Sequence, residues 1–203
     1  MSTVFSEEQR DCLQELINVA MGLASDKLAR FLNTFVHIQV PAIELVNSAQ
    51  IPAQFEAQYS SAEAALVSQG FLGNDGLRGE AIVLYQLENA HRIAALLGYD
   101  TDNASELEML TDISSILTTT FLNGLAEQID NSLSYSAPRV LSSRQNNMTE
   151  ALIETACHWE LALRVDISYQ LIHHSFNCDM LLLIPGEAVL NIQQILDRIV
   201  EEY

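Results

Sequence analysis

The sequence predicts an α+β (mixed α/β) fold with a pseudo-two-fold internal duplication, in which two long helices pack on a mostly antiparallel sheet. Three observations lead to this prediction. Residues 7–32 and 106–129 carry apolar side chains with the period of an amphipathic helix. Short runs rich in β-branched residues follow each helix and are separated by turn residues. The same order of elements then occurs twice along the chain.

The first half begins with a helix over residues 7–32. Ser6 suits its N-cap, and the acidic residues that follow favour the positive end of the helix dipole. The next segment, residues 36–46, is rich in β-branched residues and contains Pro41. Because proline cannot donate to a ladder, this segment is predicted to be an edge strand, or two strand pieces joined at a kink.

The remaining elements of both halves are predicted from the same patterns. In the first half they are a short helix or connector at Ile51–Gln58, strands at Ala62–Phe71 and Leu77–Gln86 joined by the turn Gly73–Gly76, and a helix at Asn89–Leu97 ending at Gly98. In the second half they are a helix at Glu106–Ile129, a strand at Leu133–Ser143 broken by Pro138, a short helix at Thr149–Cys157, strands at Glu160–His173 and Cys178–Ile184, and a terminal helix at Val189–Val200.

The two halves can be superimposed in sequence. Placing Pro41 on Pro138 gives an offset of 97, at which the apolar positions of the long helices coincide. Further along each half the best offset is 99, which aligns Glu80 with Asp179 and Leu84 with Leu183. We therefore expect a single domain, residues 1–203, made of two related halves (about 1–99 and 100–203) that share one sheet and one core.

The composition excludes several functions. Of the 203 residues 49% are hydrophobic, enough for a sizeable core, and the formal net charge is −18. Such acidity argues against binding to nucleic acid and against docking on an anionic membrane. It serves solubility, or it fits a partner with a positive or metal-bearing surface.

The sequence contains few features that indicate a cellular compartment or a cofactor. The sequence has no apolar run long enough to span a bilayer, and its N-terminus lacks the pattern of a signal peptide. Cys12, Cys157 and Cys178 show no CxxC spacing and are expected to be reduced core thiols of a cytoplasmic protein. His173 and His174 alternate across a strand, so they do not suit one metal ion, and we predict no metal site.

One polar stripe on the first helix is a candidate working face. Asp11, Glu15, Asn18 and Gly22 are spaced so that all four lie on one side, because each helical residue turns by about 100°. A carboxamide can orient a water and a carboxylate can pair with a cation, while glycine lets a partner surface come close. Taken alone, the same stripe also suits an ordinary solvated helix face.

Asp11, Glu15, Asn18 and Pro41 fit the spacing D/S-x3-E-x2-N-x22-P. This spacing resembles the signature of the CheC/CheX/FliY family of chemotaxis phosphatases. The segments RGEAIVLYQ, ELEMLTDISSILTTTFLNGLAEQI and MLLLIPGEAVLNIQQIL look like the second part of a CheC protein in order and spacing. The length, without an added C-terminal domain, is similar to that of CheC rather than FliY.

The resemblance implies an activity, namely hydrolysis of the aspartyl phosphate on a CheY-type response regulator in two-component signalling. By this resemblance Asn18 would orient the attacking water and Glu15 would pair with a lysine of the regulator. Mg²⁺ would be bound by the regulator, so no cofactor is expected on this chain. Gly22 would leave room for the docked partner. Asp11 either belongs to the motif or is an acidic residue that favours the positive end of the helix dipole.

The matching positions of the second half are Glu108, Asp112, Ser115 and Pro138. Asp112 is one methylene shorter than the expected glutamate, and Ser115 lacks a carboxamide. Thr119 stands in place of Gly22. This second site is therefore predicted to be degenerate, although a serine hydroxyl can still bind water.

The resemblance also leaves a non-catalytic function open. A CheC-like protein can act by binding a CheD-like deamidase, and an acidic surface would serve that role even with both sites inactive. A soluble scaffold of the flagellar switch is a further alternative. The retained pair Glu15 and Asn18 favours the enzyme.

Overall fold

A computed structural model describes residues 5–53, 64–86, 97–98, 106–143, 161–171 and 176–201. Its helices are α1 (Glu7–Leu32), α2 (Glu106–Gln128) and α3 (Gly186–Glu201). Its strands are β1 (Val36–Asn47), β2 (Ala64–Gly73), β3 (Arg78–Gln86), β4 (Leu133–Tyr135), β5 (Arg139–Ser143), β6 (Leu161–Leu171) and β7 (Phe176–Pro185). These bounds confirm the predicted α+β class.

Helix α1 begins where its capping residues predict. The Ser6 hydroxyl accepts a hydrogen bond from the Gln9 backbone N–H, and the Gln9 side chain accepts one from the Ser6 N–H. This reciprocal pair satisfies two donors that a helix start leaves without intrahelical partners. Gln9 also donates to Asp197 of α3 at 2.7 Å, so the start of α1 is joined to the terminal helix.

The two long helices end in the same way. Asn33 and Asp130 both adopt the left-handed conformation, with φ of 48° and 47°. Short polar side chains tolerate this conformation better than other non-glycine residues. The following backbone N–H groups then reach back to equivalent carbonyls, Thr34 to Ala29 at 3.1 Å and Asn131 to Ala126 at 3.0 Å. All three correspondences have the offset of 97 found in the sequence.

The seven strands form one sheet whose order obeys the pseudo-two-fold relation. The order is β1-β6-β7-β3-β2-β4, with β5 also paired to β2, and every ladder is antiparallel. Exchanging the halves replaces β1 by β4/β5, β2 by β6 and β3 by β7, and returns the same order reversed. The first strand of each half therefore pairs with the second strand of the other half.

The symmetry axis passes between β3 and β7. In this ladder Glu80 pairs with Leu183 and Leu84 pairs with Asp179, which are the same pair when the halves are exchanged at the offset of 99. Ile82 pairs with Leu181 midway between them. Both of these side chains are buried, so the axis runs through apolar packing.

The prolines interrupt equivalent strands, as predicted. Strand β1 lies at the edge of the sheet and its register with β6 shifts between Gln39 and Ala42, where Pro41 stands. In the second half the corresponding segment divides into β4 and β5, with Pro138 in the gap. The same loss of a ladder donor thus gives an irregularity in one half and a break in the other.

The main core lies between the sheet and the three helices. It contains the apolar faces of α1 and α2, while a second, smaller apolar cluster that includes Val46, Leu66 and Ile82 lies on the opposite face of the sheet. The long helices approach closely at Gly124, where an added Cβ would stand 3.1 Å from the Ala20 carbonyl oxygen. An exposed ion pair, Lys27 to Glu127 at 3.0 Å, lies beyond this contact.

Several predicted details differ from the structure. Strand β2 continues past Phe71 to Gly73, because its end pairs with β4. The turn after it is a 3-10 helix at Asn74–Gly76, with Gly76 at φ +76°. Cys12 is only half-buried rather than a core thiol, whereas Cys178 is buried.

Other predictions fall on residues that the structure does not describe. These are most of the segment after Ile51, the helices at Asn89–Leu97 and Thr149–Cys157, Cys157 itself, and the pair His173 and His174. The limits of the two halves also stay predictions, since residues 99–105 are outside the described part. No helix within the described ranges is both long enough and apolar enough to cross a membrane.

Candidate functional site

The four stripe residues of α1 lie together on its exposed side. Asp11, Glu15, Asn18 and Gly22 are all exposed. The opposite side of the helix is packed into the core through Leu13, Ile17, Ala20, Ala24, Leu28 and Leu32. The helix is therefore held rigidly from behind while its polar stripe faces solvent.

Asn18 is not isolated on this surface. Its Oδ1 accepts a hydrogen bond from the Gln14 Nε2 at 3.3 Å, one helical turn before it. The contact orients the carboxamide, because an amide that accepts through its oxygen turns its own NH₂ group the other way. The sequence analysis predicts no role for Gln14, although its i,i+4 spacing from Asn18 places the two amides next to each other on the helix surface.

The surface around Gly22 is open. Apart from the helix's own neighbouring residues, no atom of the described part of the chain lies within 4 Å of the position that a Cβ on Gly22 would take. Val19, on the neighbouring stripe, keeps 39% of its surface exposed. A partner surface that approaches α1 here thus meets open space at Gly22 and an apolar side chain at Val19.

A groove of about 610 Å³ lies beside the stripe, between the start of α1 and the edge strand β1. Arg10 and Gln14 line its helix side, and Ile43 and Glu44 line its strand side. Pro41 lies in the same strand, at the irregularity of the ladder. The motif proline thus sets the local course of the strand that forms this wall of the groove.

The second half presents a different surface. Glu108 and Asp112 of α2 are exposed, but Ser115 and Thr119 are half-buried. The Thr119 hydroxyl donates to the Ser115 carbonyl oxygen at 2.7 Å, so it is turned back onto its own helix. Pro138 is half-buried in the gap between β4 and β5.

Gln69 of β2 lies beneath Ser115 and was not predicted from the sequence. Its side chain is 3% exposed, and its Nε2 donates to the Ser136 carbonyl oxygen at 3.0 Å and to the Ser115 hydroxyl at 3.5 Å. Its Oε1 is buried and has no hydrogen-bond partner among the described residues. No local pattern could indicate this contact, since it joins residues 46 positions apart.

The hydroxyl-rich face of α2 does not form a nucleophilic site. Ser114 and Thr118 are fully buried rather than displayed, and the Thr118 hydroxyl contacts the Met180 sulfur at 3.6 Å.

Burial also raises the pKa of the Cys12 and Cys178 thiols, which keeps them protonated at neutral pH. Thiolate chemistry is therefore not supported at either position.

The carboxylates of the sheet do not converge on an ion. Glu80 accepts a hydrogen bond from Ser68, and its symmetry equivalent Asp179 accepts one from Ser168 at 2.6 Å. In the described part of the chain no three His, Cys, Asp or Glu side chains are grouped so as to hold a metal.

Solved structures share this architecture. FliY from Thermotoga maritima matches with a TM-score of 0.70 and 17% identity, over 96% of this chain and 98% of that one. The chain has the CheC-like fold. FliM in its complex with FliG from H. pylori matches with a TM-score of 0.58 and 12% identity, over 92% and 100% of the two chains.

CheX from Borrelia burgdorferi, solved as a CheX-CheY-BeF₃-Mg²⁺ complex, matches with a TM-score of 0.51 and 16% identity, over 84% and 96% of the two chains. No family model and no curated protein matches the sequence. The structural neighbours thus agree with the resemblance in fold, at identities too low to carry site residues across.

Proposed function

We propose that the chain belongs to the CheC/CheX/FliY phosphatases and hydrolyses the aspartyl phosphate of a CheY-type response regulator. The observation that supports this most is the exposed pair Glu15 and Asn18 on α1, a helix whose other side is packed into the core and which has open space at Gly22. At the position of α2 equivalent to Asn18, Ser115 lacks a carboxamide and is half-buried. Only the first half therefore carries a working site.

In this reaction Asn18 orients a water opposite the leaving carboxylate. The water oxygen bonds to phosphorus, the bond between phosphorus and the aspartyl oxygen breaks, and the products are aspartate and inorganic phosphate. Phosphoryl transfer depends mainly on positioning and on charge, so a neutral amide suffices. A carboxylate at position 18 would instead repel the anionic phosphoryl group.

Glu15 stands one turn before Asn18 and offers a carboxylate to a cation of the partner. We assign it to a lysine of the regulator, which fixes the register of the docked pair. Mg²⁺ would neutralise charge on the phosphoryl group. By the same resemblance, it would be held by the regulator.

The CheX neighbour supports the kind of partner. Its structure contains CheY with BeF₃ and Mg²⁺, and BeF₃ stands in for a phosphoryl group. The net charge of −18 of the present chain is consistent with a partner that offers a lysine at its active site.

Release of phosphate from a phosphorylated CheY-type regulator tests the proposal. Asn18→Ala is expected to lower the hydrolysis rate by about 100-fold, because the water loses its positioning group. The matched variant Ser115→Ala should retain the wild-type rate. Circular dichroism should show an unchanged fold in both, since Asn18 is exposed. Full activity of Asn18→Ala would contradict the assignment.

A non-catalytic function is the second candidate. It is favoured by the FliM neighbour, whose structure contains FliG rather than a response regulator. An inactive wild-type chain that binds a FliG-type switch protein or a CheD-like deamidase in a titration would support this function instead of the phosphatase.

A further inference from the structure

We infer that Gln14 is a positioning residue that holds the Asn18 carboxamide in one of its two orientations. The inference rests on the proposed function for its catalytic consequence, but the orientation itself can be measured without activity. The contact that carries it is the hydrogen bond from Gln14 Nε2 to Asn18 Oδ1 at 3.3 Å.

An exposed asparagine needs such a contact. The two ends of a carboxamide are nearly equal in shape, but one accepts hydrogen bonds and the other donates them. Rotation by about 180° exchanges them and presents the wrong group to a bound water. The bond from Gln14 favours the orientation in which Oδ1 faces Gln14 and the NH₂ group is directed away from it.

The side chains before Asn18 are arranged to give Gln14 this role. Arg10, Gln14 and Asn18 follow one another at i,i+4 spacing, and the first two line the groove beside β1. Of the two, Gln14 contacts Asn18, and it does so through its NH₂ group.

The second half lacks this device. The position equivalent to Gln14 is Thr111, whose hydroxyl donates to the Glu108 carbonyl oxygen at 2.8 Å. Neither Thr111 nor Ser115 carries an amide. The pair of amides is therefore confined to the half that keeps the asparagine.

Two substitutions at position 14 are expected to favour opposite orientations of the Asn18 carboxamide. Gln14→Lys supplies only donors and keeps Asn18 Oδ1 as the acceptor, so kcat should stay within about two-fold, the size of an exposed i,i+4 contact. Gln14→Glu supplies only acceptors at neutral pH and draws the Asn18 NH₂ group towards itself. Its kcat should fall about threefold with little change in KM, because the exposed i,i+4 contact then favours the reversed carboxamide.

The effect of the charge that Gln14→Glu adds must be distinguished from the effect of reversing the Asn18 carboxamide. Thr111→Glu adds the same charge at the equivalent position of α2 and should leave kcat unchanged. A charge effect of Gln14→Glu would weaken as NaCl is raised and would act mainly on KM, whereas a reversed amide persists at high ionic strength. Equal kcat values for Gln14→Glu and Gln14→Lys would overturn the inference.

The side-chain ¹⁵N–¹H signals of Asn18 provide a readout that needs no regulator. Gln14→Glu should move one Asn18 NH₂ proton downfield, since it then donates to a carboxylate, while Gln14→Lys should leave both in place. Identical Asn18 signals in the two variants would refute the positioning role. An inactive wild type with the expected shifts would instead remove the proposed phosphatase and retain the role of Gln14 in orienting Asn18.

Discussion

Asn18 and Ser115 occupy equivalent positions on the two long helices, but their surroundings differ. Asn18 is exposed, and within the described ranges its side chain hydrogen-bonds Gln14 of its own helix. Ser115 is half-buried above the amide of Gln69, whose own oxygen lacks a partner among the described residues. Position 115 therefore lies against the sheet, whereas position 18 faces solvent.

Restoring the motif in the second half should consequently fail. In an Asn18→Ala background, the double change Asp112→Glu and Ser115→Asn re-creates the E-x2-N-x22-P part of the sequence pattern. We expect no more hydrolysis than in the background alone, because Gln69 binds the new amide from below. The phosphate-release assay measures this directly. Recovery of activity would show that burial at position 115 is not the obstacle.

At the scale of the element, α1 and α2 have equivalent C-terminal ends but differ at their glycines. Gly22 faces open space, whereas Gly124 faces the backbone of Ala20 across the helix crossing. The first glycine is thus not needed for packing among the described residues. The second allows the two helices to approach.

A matched pair of alanine variants tests this difference. Gly22→Ala should stabilise the fold by about 1 kcal/mol, since alanine is the better helix former and meets no neighbour. Gly124→Ala should destabilise it by about 1–3 kcal/mol, because the new Cβ overpacks against a backbone that cannot move alone. Urea unfolding of both variants measures the two signs, and stabilisation by Gly124→Ala would contradict the close crossing.

At the scale of the whole molecule, the pattern of elements was predictable and the contacts between them were not. The bounds of α1 follow from its period and caps, and the two prolines indicate where β1 bends and where β4 ends. The pseudo-symmetry follows from the two offsets. Gln69 was missed because its partners come from α2 and the segment after β4, which only the folded sheet brings together. The matching helix ends at Asn33 and Asp130 could have been predicted, because these residues are separated by the same offset of 97.

The net charge gives a prediction for the molecule as a whole. With 27 acidic and 9 basic residues, the folded chain repels itself. Raising NaCl shortens the screening length from about 30 Å at 0.01 M to about 10 Å at 0.1 M. The midpoint of urea unfolding should therefore rise over this range. A midpoint that falls with added salt would show that specific ion pairs such as Lys27 with Glu127 outweigh the general repulsion.

The exchange of first strands between the halves has a consequence for synthesis. Among the described strands β1 forms its ladder with β6, more than 100 residues later in the chain. Non-local pairing of this kind slows folding and delays closure of the sheet until β6 and β7 have been made. The half that carries Asn18 therefore depends on the other half for its sheet, and a nascent chain cannot present α1 on a closed sheet before β6 and β7 have emerged.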